Sequence, residues 1–485
     1  MTVLALARTV AVLAVAGCGG SEPTQPSGPA GAPASIRFIS GEGQSDTAMA
    51  LVTNPLVVEV RDAAGRRVQV APIAFAALGE TGVTFCSDAT VESCVLLAHP
   101  DSTFAGQGSV IVRLGSIAEP VRIIVSVPGT TLADTTTLTT RPGAPVRLSI
   151  APADSSAYTG SSYRVIGRVF DQYGNVRGGD AISFAESGAA ATMSMDGVFH
   201  AQTVGRAFAL VHSGAFTDTA WITVPPRGTI AAIDALAPDG EKIVKVELDG
   251  SGFKRLAPVV EDTYYGTQPD WISPSQIAFD DGGYNAERIF VVDTLAVVGR
   301  LTPPATPTFA EGYVAGGPGG VVYFDAWGAA DYGTALWRIS SPGAMPVRIG
   351  PNPPGNANAW QPTPAPDGQR MAYVDVNRGG LSILDIGTGT MTPLNIAAET
   401  PRWSPLGDWI VFGAGGTLHL VHPDGSGLSD VVDARPFAAR ADWSPDGAWL
   451  IVRSSSRLEL IDMSTGTILP LGWSSGLIRP VFRRQ

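Results

Sequence analysis

At 485 residues the chain is too long for one ordinary domain, and its length suggests about three. Apolar residues make up 45% and charged residues 16%, so buried cores are within reach, and the 57 Gly and 38 Pro punctuate short β-branched runs as in a turn-rich all-β protein. A net charge of −12 without any cluster of Lys and Arg excludes a nucleic-acid partner.

Residues 1–17 read as an export signal: Arg8 is the lone charge, and the apolar stretch Val10–Ala16 is too short to cross a bilayer as a helix. Val15-Ala16-Gly17-Cys18 resembles the bacterial lipobox, which implies that Cys18 is lipidated and becomes the first mature residue. The alternative is an ordinary cleaved signal peptide with an incidental cysteine. Two or more acyl chains anchor stably where one is marginal. By resemblance to Gram-negative lipoproteins, Gly19 after the cysteine directs the chain to the outer membrane, on its periplasmic or surface face. Residues 18–34 are Ser, Pro, Gly and Ala with almost no large apolar group, and are expected to be a flexible tether.

Residues 35–142 alternate apolar and polar side chains in short runs such as Leu56-Val57-Val58-Glu59-Val60 and Ser109-Val110-Ile111-Val112-Arg113, as in a β-sandwich. Cys86 and Cys94 sit in a short loop of this exported chain, which predicts a disulfide; two free buried thiols are the alternative. Residues 143–227 repeat the plan. Val60-Arg61-Asp62-Ala63-Ala64-Gly65 and Val169-Phe170-Asp171-Gln172-Tyr173-Gly174 share one motif, a strand ending at Asp followed by a Gly turn. The motif resembles the Ig-like domains of the invasin and intimin type, which implies two spacer or stalk modules.

Residues 228–485 carry a longer repeat. Trp403-Ser404-Pro405-Leu406-Gly407-Asp408-Trp409 recurs as Trp443-Ser444-Pro445-Asp446-Gly447-Ala448-Trp449, with looser copies at Trp271 and Pro364. The spacings, 39 residues from Pro364 to Trp403 and 40 from Trp403 to Trp443, are those of propeller blades. Phe482, 39 residues after Trp443, takes the Trp position again, so the last strand is expected to complete the first blade. A rival register makes Leu236-Ala237-Pro238-Asp239-Gly240 the first motif and leaves that blade a strand short. These residues resemble the TolB-like family of WD-type repeats. The expected fold is all-β: two Ig-like β-sandwiches followed by a six-bladed β-propeller.

Chemistry is harder to find. Gly472-Trp473-Ser474-Ser475-Gly476 spells a nucleophile elbow, but no His follows it, so it reads as the turn before the closing strand. The five His form no zinc pattern, and no P-loop or dinucleotide motif appears, so no metal, cofactor or catalytic residue is assigned. Asp280, Asp325 and Asp375 follow the second strands of their blades, within a residue of equivalent positions, with Asp234 as a possible fourth, and are expected to gather at one rim. They either bind a cation or basic peptide or simply end strands before turns. Tyr284, Trp327 and Asp331 lie in the longest loops and complete the candidate binding rim. The expected function is a lipid-anchored envelope or surface binding protein whose propeller rim takes an envelope protein or polymer. The alternatives are a propeller-type lyase or hydrolase acting on carbohydrate, and a purely structural surface protein.

Overall fold

The computed structural model describes residues 29–79, 82–88, 94–96, 98–258, 268–280, 288–303, 308–328, 333–351, 358–431 and 437–484. Cys18, the signal segment, Tyr284 and Asp331 lie outside these residues. The described chain is strand and turn; its only helical elements are single 3₁₀ turns at Pro318–Gly320 and Val376–Arg378. It divides into two compact units, one made of residues 1–147 and 169–179, the other of residues 148–168 and 180–485.

In the first unit two five-stranded sheets share one core. The sheet of Pro33–Ser40, Leu56–Asp62, Gln107–Arg113, Thr84–Cys86 and Cys94–Leu96 contributes Phe38, Val58, Val60, Phe85 and Val112. The other sheet contributes Ile73, Phe75, Ile123, Val125 and Leu138. Alternate residues of Leu56–Asp62 and Pro120–Ser126 are buried, as the period of two requires when one sheet face is covered. Cys86 and Cys94 pair across neighbouring strands and are joined by the expected disulfide.

The shared Asp-Gly motif has a physical basis. The Asp62 carboxylate accepts the N–H groups of Gly31, Ala64 and Arg66. The Gly31 N–H, then those of Arg66 and Ala64 with the Arg66 guanidinium, outweigh burial and hold its pKa at about 2. Asp171 repeats the arrangement with the N–H groups of Gly143, Tyr173 and Asn175. Gly65 and Gly174 supply the positive φ, +78° and +86°, that closes each turn.

The second unit opens with a four-stranded and a three-stranded sheet and continues, among the described residues, into six four-stranded antiparallel sheets. Five of the six run in sequence order, from Asp270–Ser273 to Ile468–Pro470. The remaining one joins Thr229–Asp234, Lys242–Glu247 and Lys254–Pro258 to the last strand of the chain, Leu477–Phe482. Residues 236–240 are the turn between its Thr229–Asp234 and Lys242–Glu247 strands, so the closing register is the one adopted. The first strands, Asp270–Ser273, Thr308–Gly316, Ala359–Pro364, Glu399–Trp403, Phe437–Trp443 and Leu477–Phe482, pack on one another in a closed cycle. That cycle is a β-propeller: each first strand ends the hydrogen-bonded order of its own sheet, and the ring closes by the packing of neighbouring sheets.

The Trp-Ser-Pro repeat supplies the turn between first and second strands. Ser404 Oγ accepts the Trp409 N–H and donates to Asp408; Ser444 does the same with Trp449 and Asp446. Gly407 and Gly447 sit at φ +79° and +72° in these turns. The Tyr158 hydroxyl, from the segment ahead of the propeller, accepts the Leu248 N–H and donates to the Gly228 carbonyl, both at 2.9 Å.

Candidate functional site

Register makes the six first strands directly comparable. Trp271, Gly316, Pro364, Trp403, Trp443 and Phe482 each face the corresponding residue of the second strand, from Ile277 in one sheet to Ile410 and Leu450 in others. The position just before each is Asp270, Ala315, Thr363, Arg402, Asp442 or Val481. Three of these stitch one sheet to the next through a main-chain N–H: Asp270 to Gly316, Thr363 to Trp403 and Asp442 to Phe482.

Ion pairs cross the ring at this level. Arg402 donates to Asp270 at 2.7 Å and lies 3.8 Å from Asp442, while Arg484 reaches Asp270 at 3.5 Å. Burial alone would raise the Asp270 pKa; Arg402 and Arg484 overcome it and hold that carboxyl below the usual range. Asp442 moves the other way: burial and the neighbouring Asp270 raise it against the pull of Arg402. Arg402 is held further toward the charged state by the two carboxylates, against its own burial.

Two residues earlier stand Gln268, Tyr313, Gln361, Thr400, Arg440 and Arg479. In five of the sheets the register between first and second strands shifts beside this position, a β-bulge at each. Tyr313, Gln361, Thr400 and Arg479 are consequently held at φ +35°, +57°, +45° and +52°. Side chains other than Gly rarely adopt that region, and bulges of this kind re-aim a residue. Gln268, Tyr313, Gln361, Thr400, Arg402 and Arg440 border one small cavity of about 20 Å³. Gln361 accepts the Thr400 N–H at 2.6 Å, linking two of the six positions directly.

At the Ser-Pro turns the same axis opens into a cavity of about 610 Å³. Its wall carries the rings of Trp271, Trp403 and Trp443 beside Pro274, Pro318, Pro366, Pro405 and Pro445. Asp442 and Arg484 supply its charged groups. Trp443 is fixed by an Nε1–H bond to the Arg402 carbonyl.

Asp280 and Asp375 end their second strands, Asp325 lies midway along its own opposite Gly312, and all three are buried. Asp280 accepts the Gln268 N–H and Asp325 the Gln361 N–H, so these acids fix the backbone of residues that border the small cavity. Asp375 accepts the Asn377 N–H and meets Arg378 at 3.3 Å. Asp234 is bound by Arg255. Trp327 is 43% exposed on its second strand, whereas Trp337 is buried in the core. Ser474 is fully buried, with its hydroxyl between the Leu471 carbonyl and the Leu458 N–H, which is a turn residue's role. Among the described residues no group of three or more His, Cys, Asp or Glu is placed to hold a metal.

The buried charges Asp270, Arg402, Arg440 and Asp442, and the half-buried Arg484, were not singled out by the motif search. One signal was available: Asp, Arg and Asp directly precede Trp271, Trp403 and Trp443.

No family model matches the chain, and no curated protein matches it. Solved structures with a similar fold include TolB from Acinetobacter baumannii, 13% identical, TM-score 0.43, covering 62% of this chain and 83% of that one. A gluconolactonase from Xanthomonas campestris is 11% identical, TM-score 0.36, over 47% of this chain and 78% of its own. The Escherichia coli adhesin FdeC is 15% identical, TM-score 0.29, over 73% of this chain and 98% of its own. At these identities and scores no residue role is carried over.

Proposed function

We propose that the chain is a cell-envelope binding protein whose propeller seats a segment of an envelope protein or polymer in the cavity at its Ser-Pro turns. In this reading Cys18 carries the lipid anchor to the outer membrane, residues 35–142 and 143–227 are Ig-like stalk modules, and residues 228–485 form a six-bladed TolB-like propeller. The observation that carries the proposal is the 610 Å³ cavity, whose walls are indole rings and prolines fixed by hydrogen-bonded turns. Preformed apolar concavities with a few polar groups at fixed positions are where ligands bind, and rigid walls reduce the ordering cost. Non-enzymatic binding is favoured because Asp270, Arg402, Asp442 and Arg484 are engaged in ion pairs with one another, including the two that line the cavity, Asp442 and Arg484.

The test uses the full chain as bait against envelope extract and a glycan array, beside a Pro366→Arg/Pro405→Arg variant. Pro366 is exposed and Pro405 half-buried at the mouth, so the folded core is spared. The expected result is a captured component whose affinity falls at least about tenfold in the variant, the loss of roughly one good contact. Equal affinity in parent and variant moves the seat elsewhere. Turnover of an arrayed glycan in place of retention overturns binding in favour of an enzyme.

A further inference from the structure

At the small cavity toward the starts of the first strands, Arg440 carries a positive charge that no carboxylate among the described residues pairs with. Arg440 is 9% exposed. Among the described residues its one hydrogen bond runs from Nη2 to the Pro269 carbonyl, at a long 3.4 Å, and its buried Nε–H has no partner there. No carboxylate lies in ion-pair range of it among the described residues; Asp270 and Asp442 act on it from further away. Burial first, then the fields of Arg402 and Arg479, outweigh those two acids and pull its pKa down to about 9. Among the described residues this guanidinium has no paired anion.

The surrounding groups suit one. Asp270 already spends Oδ2 on Arg402, Arg484 and the Gly316 N–H, although its Oδ1 has no hydrogen bond among the described residues. Asp442 is committed to the Phe482 N–H and Arg402, and its raised pKa lessens the negative charge it supplies. Asp280 and Asp325, behind the cavity, each accept a main-chain N–H. Gln268, Tyr313, Gln361 and Thr400 border the same cavity as Arg440, with the Tyr313 hydroxyl bonded to Gln361. Tyr313, Gln361 and Thr400 are held in the left-handed region, which places them around the axis despite the backbone strain. A water molecule between Arg440 and Asp270 would satisfy hydrogen bonds but would leave the charge in place.

We propose that this cavity is an anion seat, in which Arg440 binds a small monovalent anion: a free halide or the carboxylate head of a ligand. At about 20 Å³ the space admits a species the size of one water, chloride or a carboxylate oxygen pair entering from the mouth, and excludes bulky anions. The site is separate from the Trp- and Pro-lined cavity and does not rest on the partner proposed for it.

The test is thermal unfolding of the full chain titrated with sodium chloride or sodium formate, with ionic strength held by the bulky HEPES anion. Parent, Arg440→Met and Arg440→Lys are compared. In the parent, one or both salts raise Tm saturably, by roughly 2 °C at tenfold over half-saturation. A response to formate alone points to a ligand carboxylate, and a response to chloride points to a free ion. In Arg440→Met the response disappears, while Tm without added salt equals or exceeds the parent's, because an uncompensated buried charge has been removed. Arg440→Lys keeps a weakened response. A parent indifferent to both salts, or an Arg440→Met variant that responds like the parent, overturns the proposal. So does an Arg440→Met variant that melts well below the parent in HEPES alone, which would make Arg440 a structural cation already satisfied by its neighbours.

Discussion

Removing residues 477–485 abolishes cooperative folding of the second unit. The deleted strand carries Leu477, Val481 and Phe482, all buried, and pairs with Thr229–Asp234. It also carries the N–H that Asp442 accepts, and Arg484. Burying three large apolar side chains contributes about 5–8 kcal/mol, similar to the whole stability of an ordinary domain. The cut also exposes the edge of Thr229–Asp234 that Leu477–Phe482 covers. Near-ultraviolet circular dichroism of the truncated chain is expected to lose its indole signal, and gel filtration to show aggregates. A truncated chain that melts as sharply and as high as the parent would mean that the ring does not depend on this closure.

Asp270→Ala is the costliest expected single substitution among the buried charges. The change leaves Arg402 in the interior with only Asp442, 3.8 Å away, and strips the acceptor from the Gly316 N–H. Breaking a buried pair in this way costs about 3–5 kcal/mol, mostly from the uncompensated charge. Denaturant unfolding of the second unit should show a midpoint shift of that size with little change of slope. The double change Asp270→Leu/Arg402→Met should recover most of the loss, since the penalty belongs to the orphaned partner rather than to the pair. If the double variant is as unstable as the single one, the stitch to Gly316 is the dominant contribution and the ion pair is incidental. The sign of the pH dependence follows from the depressed Asp270 pKa. Its contribution is present above the ordinary carboxylate range near pH 4, and it is lost as pH falls through the lower folded value.

The ring was legible because its turns are local. Trp, Ser, Pro and Gly within seven residues specify one hydrogen-bonded reversal, and the near-constant spacing of those reversals shows that the sheets repeat. Phe482 at the Trp position was enough to assign the last strand to the first sheet. The Asp-Gly turns were legible for the same reason: Asp62 and Asp171 bond N–H groups two and four residues on, besides one distant N–H each. The axis was not legible. Asp270 and Arg402 are 132 residues apart, and only ring geometry brings them together. The bulges at Tyr313, Gln361 and Thr400 break the period of two just where an inward pattern would otherwise be read. Asp280, Asp325 and Asp375 were visible within a residue of equivalent positions, but the sequence does not say whether a carboxylate faces solvent or a main-chain N–H. Here Asp280 and Asp325 accept the N–H groups of Gln268 and Gln361.

The most direct measurement is a hydrogen-exchange footprint of the captured envelope component on the full chain. Occupation of the propeller cavity should slow exchange at residues 271–274, 317–320, 364–366 and 403–405, the turns that line it. Protection confined to residues 35–227, with these four turns exchanging as in the free chain, would contradict the account and make the first two modules, not the propeller, the binding element.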